Sequence, residues 1–154
     1  MSDVTYDRQA ETLSAYGRVI PVSNNVRINH DGRVISTYQG IPYQPLHFPV
    51  GEWRITGVAP ETIDDLAPFA IITDAHQLVP EWLLTPDGKY DKPSGHMVPD
   101  IGYWIHYSIL DFTYGCIRVI QKDDLVWLAG QVQAELAELV KLNPKQAWIS
   151  FSAA

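Results

Sequence analysis

The sequence is predicted to fold as a mainly β protein with one principal helix, on three observations. Short runs rich in β-branched and aromatic residues recur along the chain, and 11 prolines and 10 glycines break it into pieces. Only the stretch after Val119 keeps apolar residues at helical spacing over several turns. With 154 residues the chain is read as one domain, 1–154, long enough to bury a single sizeable core.

Residues Met1 to Tyr16 carry Ala10, Leu13 and Tyr16 at spacings compatible with a short helix and are read as an N-terminal extension. Gly17 to Val22 reads as the first strand, closed by a Ser23-Asn24-Asn25 turn. Val26 to Asn29 and Arg33 to Tyr38 flank His30-Asp31-Gly32, and Asp-Gly between alternating runs predicts a hairpin. Gly40 to Pro45 reads as a loop leading into His47 to Ile55, where a Pro-Gly turn precedes a strand. Phe69 to Thr73 reads as a strand, Glu81 to Leu84 as another, and Thr85-Pro86-Asp87-Gly88 as a turn. The proline- and glycine-interrupted run from Pro86 to Pro99 reads as a long surface loop. Tyr103 to Tyr107 is aromatic and β-branched and reads as a strand. Leu125, Leu128, Val132, Leu136 and Leu139 then mark a helix capped by Asp123 or Asp124 and ended by Asn143-Pro144, with Gln146 to Phe151 as a last strand.

Composition excludes several functions. A hydrophobic fraction of 46% with 19% charged residues is that of an ordinary globular protein. The formal charge of -7, without Lys/Arg clusters, argues against nucleic acid or an anionic membrane surface as partner. No apolar run is long enough to span a bilayer, and the start lacks a basic region followed by an apolar core, so synthesis in the cytoplasm without a Sec signal is expected. One cysteine excludes an internal disulfide framework and a multi-cysteine zinc site. His30, His47, His76 and His96 carry no metal-site spacing and read as solvated residues, so neither metal nor cofactor is expected.

The chemistry concentrates in residues 102–119, which hold that single cysteine. Cys116 follows Gly115, which lets the backbone turn tightly and leaves room beside the sulfur for a carbonyl substrate. Ten positions earlier stands His106, near enough in sequence to meet the thiol across a hairpin or tight loop and act as its base. An activated thiol of this kind is expected to outreact a free one.

Ile105-His106 followed by Thr113-Tyr114-Gly115-Cys116-Ile117-Arg118 resembles the signature of L,D-transpeptidases, the YkuD-like peptidoglycan enzymes. Pro49, Gly51 and Trp53 resemble an upstream Pro-x-Gly-x-aromatic stretch of the same enzymes, in the same order. The chain departs from the pattern at Tyr107, where Gly or Ser is commoner, and at Tyr114, where His is commoner. Its short gap between His106 and Thr113 resembles a divergent branch that includes toxins delivered between bacteria by type VI secretion.

The resemblance implies a β-sandwich or partly open barrel of mostly antiparallel strands, with the helix after the cysteine. It implies that Cys116 attacks the carbonyl between the third residue and the terminal D-amino acid of a peptidoglycan tetrapeptide stem, with His106 as base. Backbone N–H groups of Gly115 and Cys116 would hold the oxyanion, and the carbonyl of Tyr107 would orient the imidazole. Thr113 would fix the turn or meet substrate, Tyr114 would shape a subsite, and Arg118 would hold a substrate carboxylate or an internal one such as Asp111. The outcome would be cross-linking, D-amino-acid exchange or L,D-carboxypeptidase hydrolysis, in a protein secreted or released to act in the periplasm. An immunity or delivery protein is then the expected partner. The alternative is a non-catalytic phage or secretion-apparatus protein that retains the fold.

Overall fold

The computed structural model describes residues 3–26, 35–38, 40–62 and 67–154. Twelve strands are described, in chain order β1 (Asp3–Asp7), β2 (Thr12–Ala15), β3 (Arg18–Ser23), β4 (Ser36–Tyr38), β5 (Ile41–Tyr43), β6 (Gly51–Pro60), β7 (Phe69–Thr73), β8 (His76–Leu84), β9 (Tyr90–Ile101), β10 (Ile105–Tyr107), β11 (Ile117–Val119) and β12 (Ile149–Ala153). Between the last two lie the helix α1 (Lys122–Leu142) and a 3-10 turn, Pro144–Gln146.

Eight strands close a barrel in the order β1-β12-β6-β7-β10-β11-β3-β2, with β2 pairing back to β1. Two of its pairs are parallel, β1 with β12 and β10 with β11, and the rest are antiparallel. The other four strands form a separate sheet, β4-β5-β8-β9. The protein is therefore mainly β with one principal helix, as the sequence predicts, and the barrel is closed.

Period-two burial explains the barrel. Val4 and Tyr6 of β1, Leu13 and Ala15 of β2, and Ile149, Phe151 and Ala153 of β12 alternate with residues left at the surface. Ile20, Ile55, Ile71, Ile105 and Ile117 complete a dry core that continues into Leu125, Leu128, Ala129 and Val132 of α1. Each fully buried aliphatic side chain there contributes about 1.5–3 kcal/mol.

Several expectations are corrected. The first sixteen residues form no helix among those described. Val4, Tyr6, Leu13 and Ala15 follow period two, and a turn at Arg8 to Glu11 joins two strands that belong to the barrel. The predicted loop from Pro86 to Pro99 is mostly β9, hydrogen-bonded along β8. The predicted turn at Thr85 to Gly88 is the hairpin bend, with Gly88 at φ 83° and its N–H on the Thr85 carbonyl at 2.9 Å. Prolines survive in β9 because it is an edge strand, where a missing N–H breaks no ladder bond on the open side. Part of the predicted loop from Gly40 to Pro45 is the short strand β5.

The hairpin predicted around Asp31-Gly32, with His30, lies largely outside the described residues; of its second arm, Ser36–Tyr38 pairs with β5. The helix begins before the expected cap. Gln121 is its N-cap, without a side-chain bond, while Asp123 and Asp124 sit in the first turn, where carboxylates favour the helix dipole. Asp124 instead pairs with Arg18 at 2.7 Å, and that guanidinium lies 4.6 Å from the Trp127 ring centre, tying α1 to β3.

Candidate functional site

Strands β10 and β11 run parallel with Ile105 opposite Ile117 and His106 opposite Arg118. Both isoleucines are fully buried in the core, so His106 and Arg118 project to the other face by strand alternation. His106 thus lies on β10, and Cys116 immediately precedes the strand that pairs with it in parallel.

His106 is 7% exposed, and its Nδ1 lies 2.9 Å from the Tyr107 carbonyl. A carbonyl can only accept, so Nδ1 carries the hydrogen and Nε2 keeps its lone pair. Burial pushes the imidazole below its usual range, against the opposing pull of the Tyr107 bond and the Glu61 carboxylate. His106 is thus a neutral base at neutral pH.

The Cys116 sulfur donates to the Gly102 carbonyl at 3.4 Å and accepts the Trp104 N–H at 3.4 Å. Cys116 keeps part of its surface open, yet packing around the sulfur pushes the thiol up to about 11. The Trp104 N–H pulls it back and the Asp100 carboxylate pushes it further. Among the described residues no hydrogen bond joins the thiol to His106, so the resting pair is a neutral thiol beside a neutral imidazole. The raised thiol departs from the expectation of one that outreacts a free thiol.

Gly115 is required sterically. At φ 121° it packs so closely that a Cβ would lie 2.6 Å from the Tyr103 ring and 2.8 Å from the Leu46 carbonyl oxygen. Its N–H donates to Thr113 Oγ1 at 3.2 Å and is spent inside the loop. The expectation that it binds an oxyanion is therefore corrected, and the Cys116 N–H is the donor left at this step.

Thr113 is buried at 5% exposure, and its hydroxyl donates to the Cys116 carbonyl at 2.7 Å, so it shapes the loop. Arg118 turns inward: its Nε donates to the Ser108 carbonyl at 2.9 Å, a backbone acceptor in place of the Asp111 carboxylate. Tyr107 is half-buried against the core with Lys122 Nζ 5.3 Å from its ring centre, and Tyr114 is 44% exposed.

Asn24 is a residue that the sequence reading passed over as part of a turn. It is 4% exposed, and Nδ2 donates to the carbonyls of Gly115 (2.7 Å) and Cys116 (2.9 Å) while Oδ1 accepts the Phe48 N–H (2.7 Å). Tyr103, whose ring seals Gly115, is itself pinned by Asp100 (2.7 Å) and Gln77 (2.9 Å), and its carbonyl accepts the Thr73 hydroxyl. No local pattern marks Asn24, Thr73 or Gln77, since each acts across 24 or more positions of chain. Among the described residues no three His, Cys, Asp or Glu side chains converge as a metal ion would need. Compared with protein-family models, with curated proteins and with solved structures, the chain has no significant match.

Proposed function

We propose that this protein is a cysteine acyl-transfer enzyme acting on peptidoglycan tetrapeptide stems. One observation carries the chemistry: a buried, neutral His106, its Nδ1 held by the Tyr107 carbonyl, stands on the strand beside Cys116 with Nε2 left to take a proton. The substrate class comes from the resemblance of Ile105-His106 and Thr113 to Arg118 to the L,D-transpeptidase signature.

In this reading Nε2 takes the thiol proton as Sγ bonds to the carbonyl carbon between the third and fourth stem residues. The C–N bond then breaks, the imidazolium gives that proton to the leaving D-amino acid, and a thioester remains on Cys116. An acceptor amine attacks the thioester and loses its proton to Nε2, the C–S bond breaks, that proton returns to Sγ, and a cross-linked or exchanged peptide leaves. Water in the same place gives the shortened acid. The Cys116 N–H, aided by exclusion of water, stabilises the oxyanion. Release of the protein into the periplasm, as a toxin carried by a secretion machine and met by an immunity protein, is the setting that gives this chemistry a substrate.

The rival reading is a structural phage or secretion-apparatus protein that kept the fold without the reaction, and it draws on the raised thiol pKa. Incubation with purified tetrapeptide muropeptides separates the two by product mass. Wild-type protein should yield tripeptide, exchanged or dimeric products, His106→Gln should lower kcat/KM by about 10²–10⁴-fold, and Cys116→Ala should leave background only. No product from wild type, with or without an acceptor amine, favours the structural reading.

A further inference from the structure

A cavity of about 540 Å³ opens beside β6 and β12, next to the turn between β7 and β8. Its size lies within the roughly 300–1,000 Å³ of small-molecule sites. Two indoles wall it. Trp53 is fixed by its Nε1–H on the Pro49 carbonyl at 2.9 Å and meets the His76 ring edge to face at 5.2 Å between centroids. Trp148 holds the Arg54 guanidinium 4.8 Å from its ring centre.

Polar groups are locked around these rings. The Arg54 N–H donates to Asp74 Oδ1 at 2.7 Å, the Asp74 N–H returns to the Arg54 carbonyl at 3.0 Å, and His76 Nδ1 lies 2.9 Å from the Asp74 carbonyl. Glu52 takes the Ser152 hydroxyl at 2.8 Å. The cavity therefore combines two acceptor-only carboxylates, a donor-only guanidinium and two aromatic walls.

That set selects a chemical class. One carboxylate more than cation disfavours a phosphate or other anion, and a hydrocarbon would strip water from charged groups without replacing its hydrogen bonds. A pyranose fits both halves: each hydroxyl can donate to a carboxylate or accept from a guanidinium, and the C–H faces of the ring lie against indole. We propose that this cavity binds a neutral pyranose unit.

Its place in the fold suggests which one. His76 pairs with Ile101 across the β8/β9 ladder, and the neighbouring Gly102 carbonyl accepts the Cys116 thiol. One lining residue of the cavity thus pairs with the strand end that leads to the Cys116 sulfur. If Cys116 acts on peptidoglycan stems, the pyranose is the glycan unit from which the stem hangs. That identity rests on the acyl-transfer reading, whereas pyranose binding does not.

The test is a chemical-shift titration of isotope-labelled protein with the neutral N-acetylglucosamine tetramer, run on wild type and on Cys116→Ala. Saturable shifts are expected at the Trp148 indole N–H and the Asp74 amide, alike in both proteins. Asp74→Asn, which keeps the acceptor for the Arg54 N–H, and Trp148→Phe should each weaken binding roughly tenfold. Absence of saturable shifts there, or undiminished binding in both variants, overturns the proposal. Binding without muropeptide turnover keeps the pyranose site and removes the acyl-transfer reading, and turnover without binding does the reverse.

Discussion

Cys116 and His106 hold the same net charge in the resting protein, zero, and that sets how the site should respond to pH. His106 is pushed below its ordinary range chiefly by burial, so its neutral form persists to lower pH than in a free imidazole and is lost as pH falls through the lower folded value. Activity that needs neutral Nε2 should therefore rise with pH on an acid limb lying below 6.5. Cys116 is pushed up to about 11, so no alkaline limb is expected before that pH. Alkylation by iodoacetamide reads the thiol directly. At neutral pH Cys116 should react roughly tenfold or more slowly than a free thiol, with a rate that climbs toward pH 11. A midpoint below 8.5 that shifts upward in His106→Gln would reveal a resting ion pair in place of the neutral one. The residues themselves were legible because Ile105-His106 and Gly115-Cys116-Ile117-Arg118 are local patterns. Their proton states were not, since burial depends on packing from distant strands.

At the scale of elements, the loop between β10 and β11 is held by a buried amide from outside it. Asn24 satisfies the Gly115 and Cys116 carbonyls and the Phe48 N–H at once, which joins the end of β3, the loop before β6 and the thiol loop. Asn24→Ala leaves three backbone groups without that partner and should cost about 2–4 kcal/mol in denaturant unfolding, with a larger loss of turnover than the stability change alone gives. An effect under about 0.5 kcal/mol would show that water replaces the amide at no cost. Elements with strong local patterning, such as β7 and the helical stripe of α1, could be read directly from the chain. The edge strand β9 could not, because prolines that forbid a central strand are tolerated where one side of the ladder is open. Leu13 and Tyr16 fit a helical spacing equally well on paper, and only pairing of β1 with β2 decides for period two.

For the whole molecule, barrel closure depends on the two ends of the chain meeting. Asp3 lies opposite Ser150 and Tyr6 opposite Ala153 in the parallel β1/β12 pair, while the Tyr6 ring packs edge to face on Phe48. Pairings at such separation leave no local trace in sequence, so the mainly β class was readable and the closed barrel order was not. Among the described residues no helix is long and apolar enough to cross a membrane. The barrel sets β10 beside β11, and from that single adjacency the proposed chemistry follows. Intact mass after brief incubation with a tetrapeptide muropeptide and acid quench tests it most directly. Wild-type protein should gain the mass of the muropeptide less its released terminal D-amino acid, on Cys116, with slower gain in His106→Gln and none in Cys116→Ala. Turnover by Cys116→Ala, or a wild-type protein that stays unmodified and releases no D-amino acid, would contradict acyl transfer at this site.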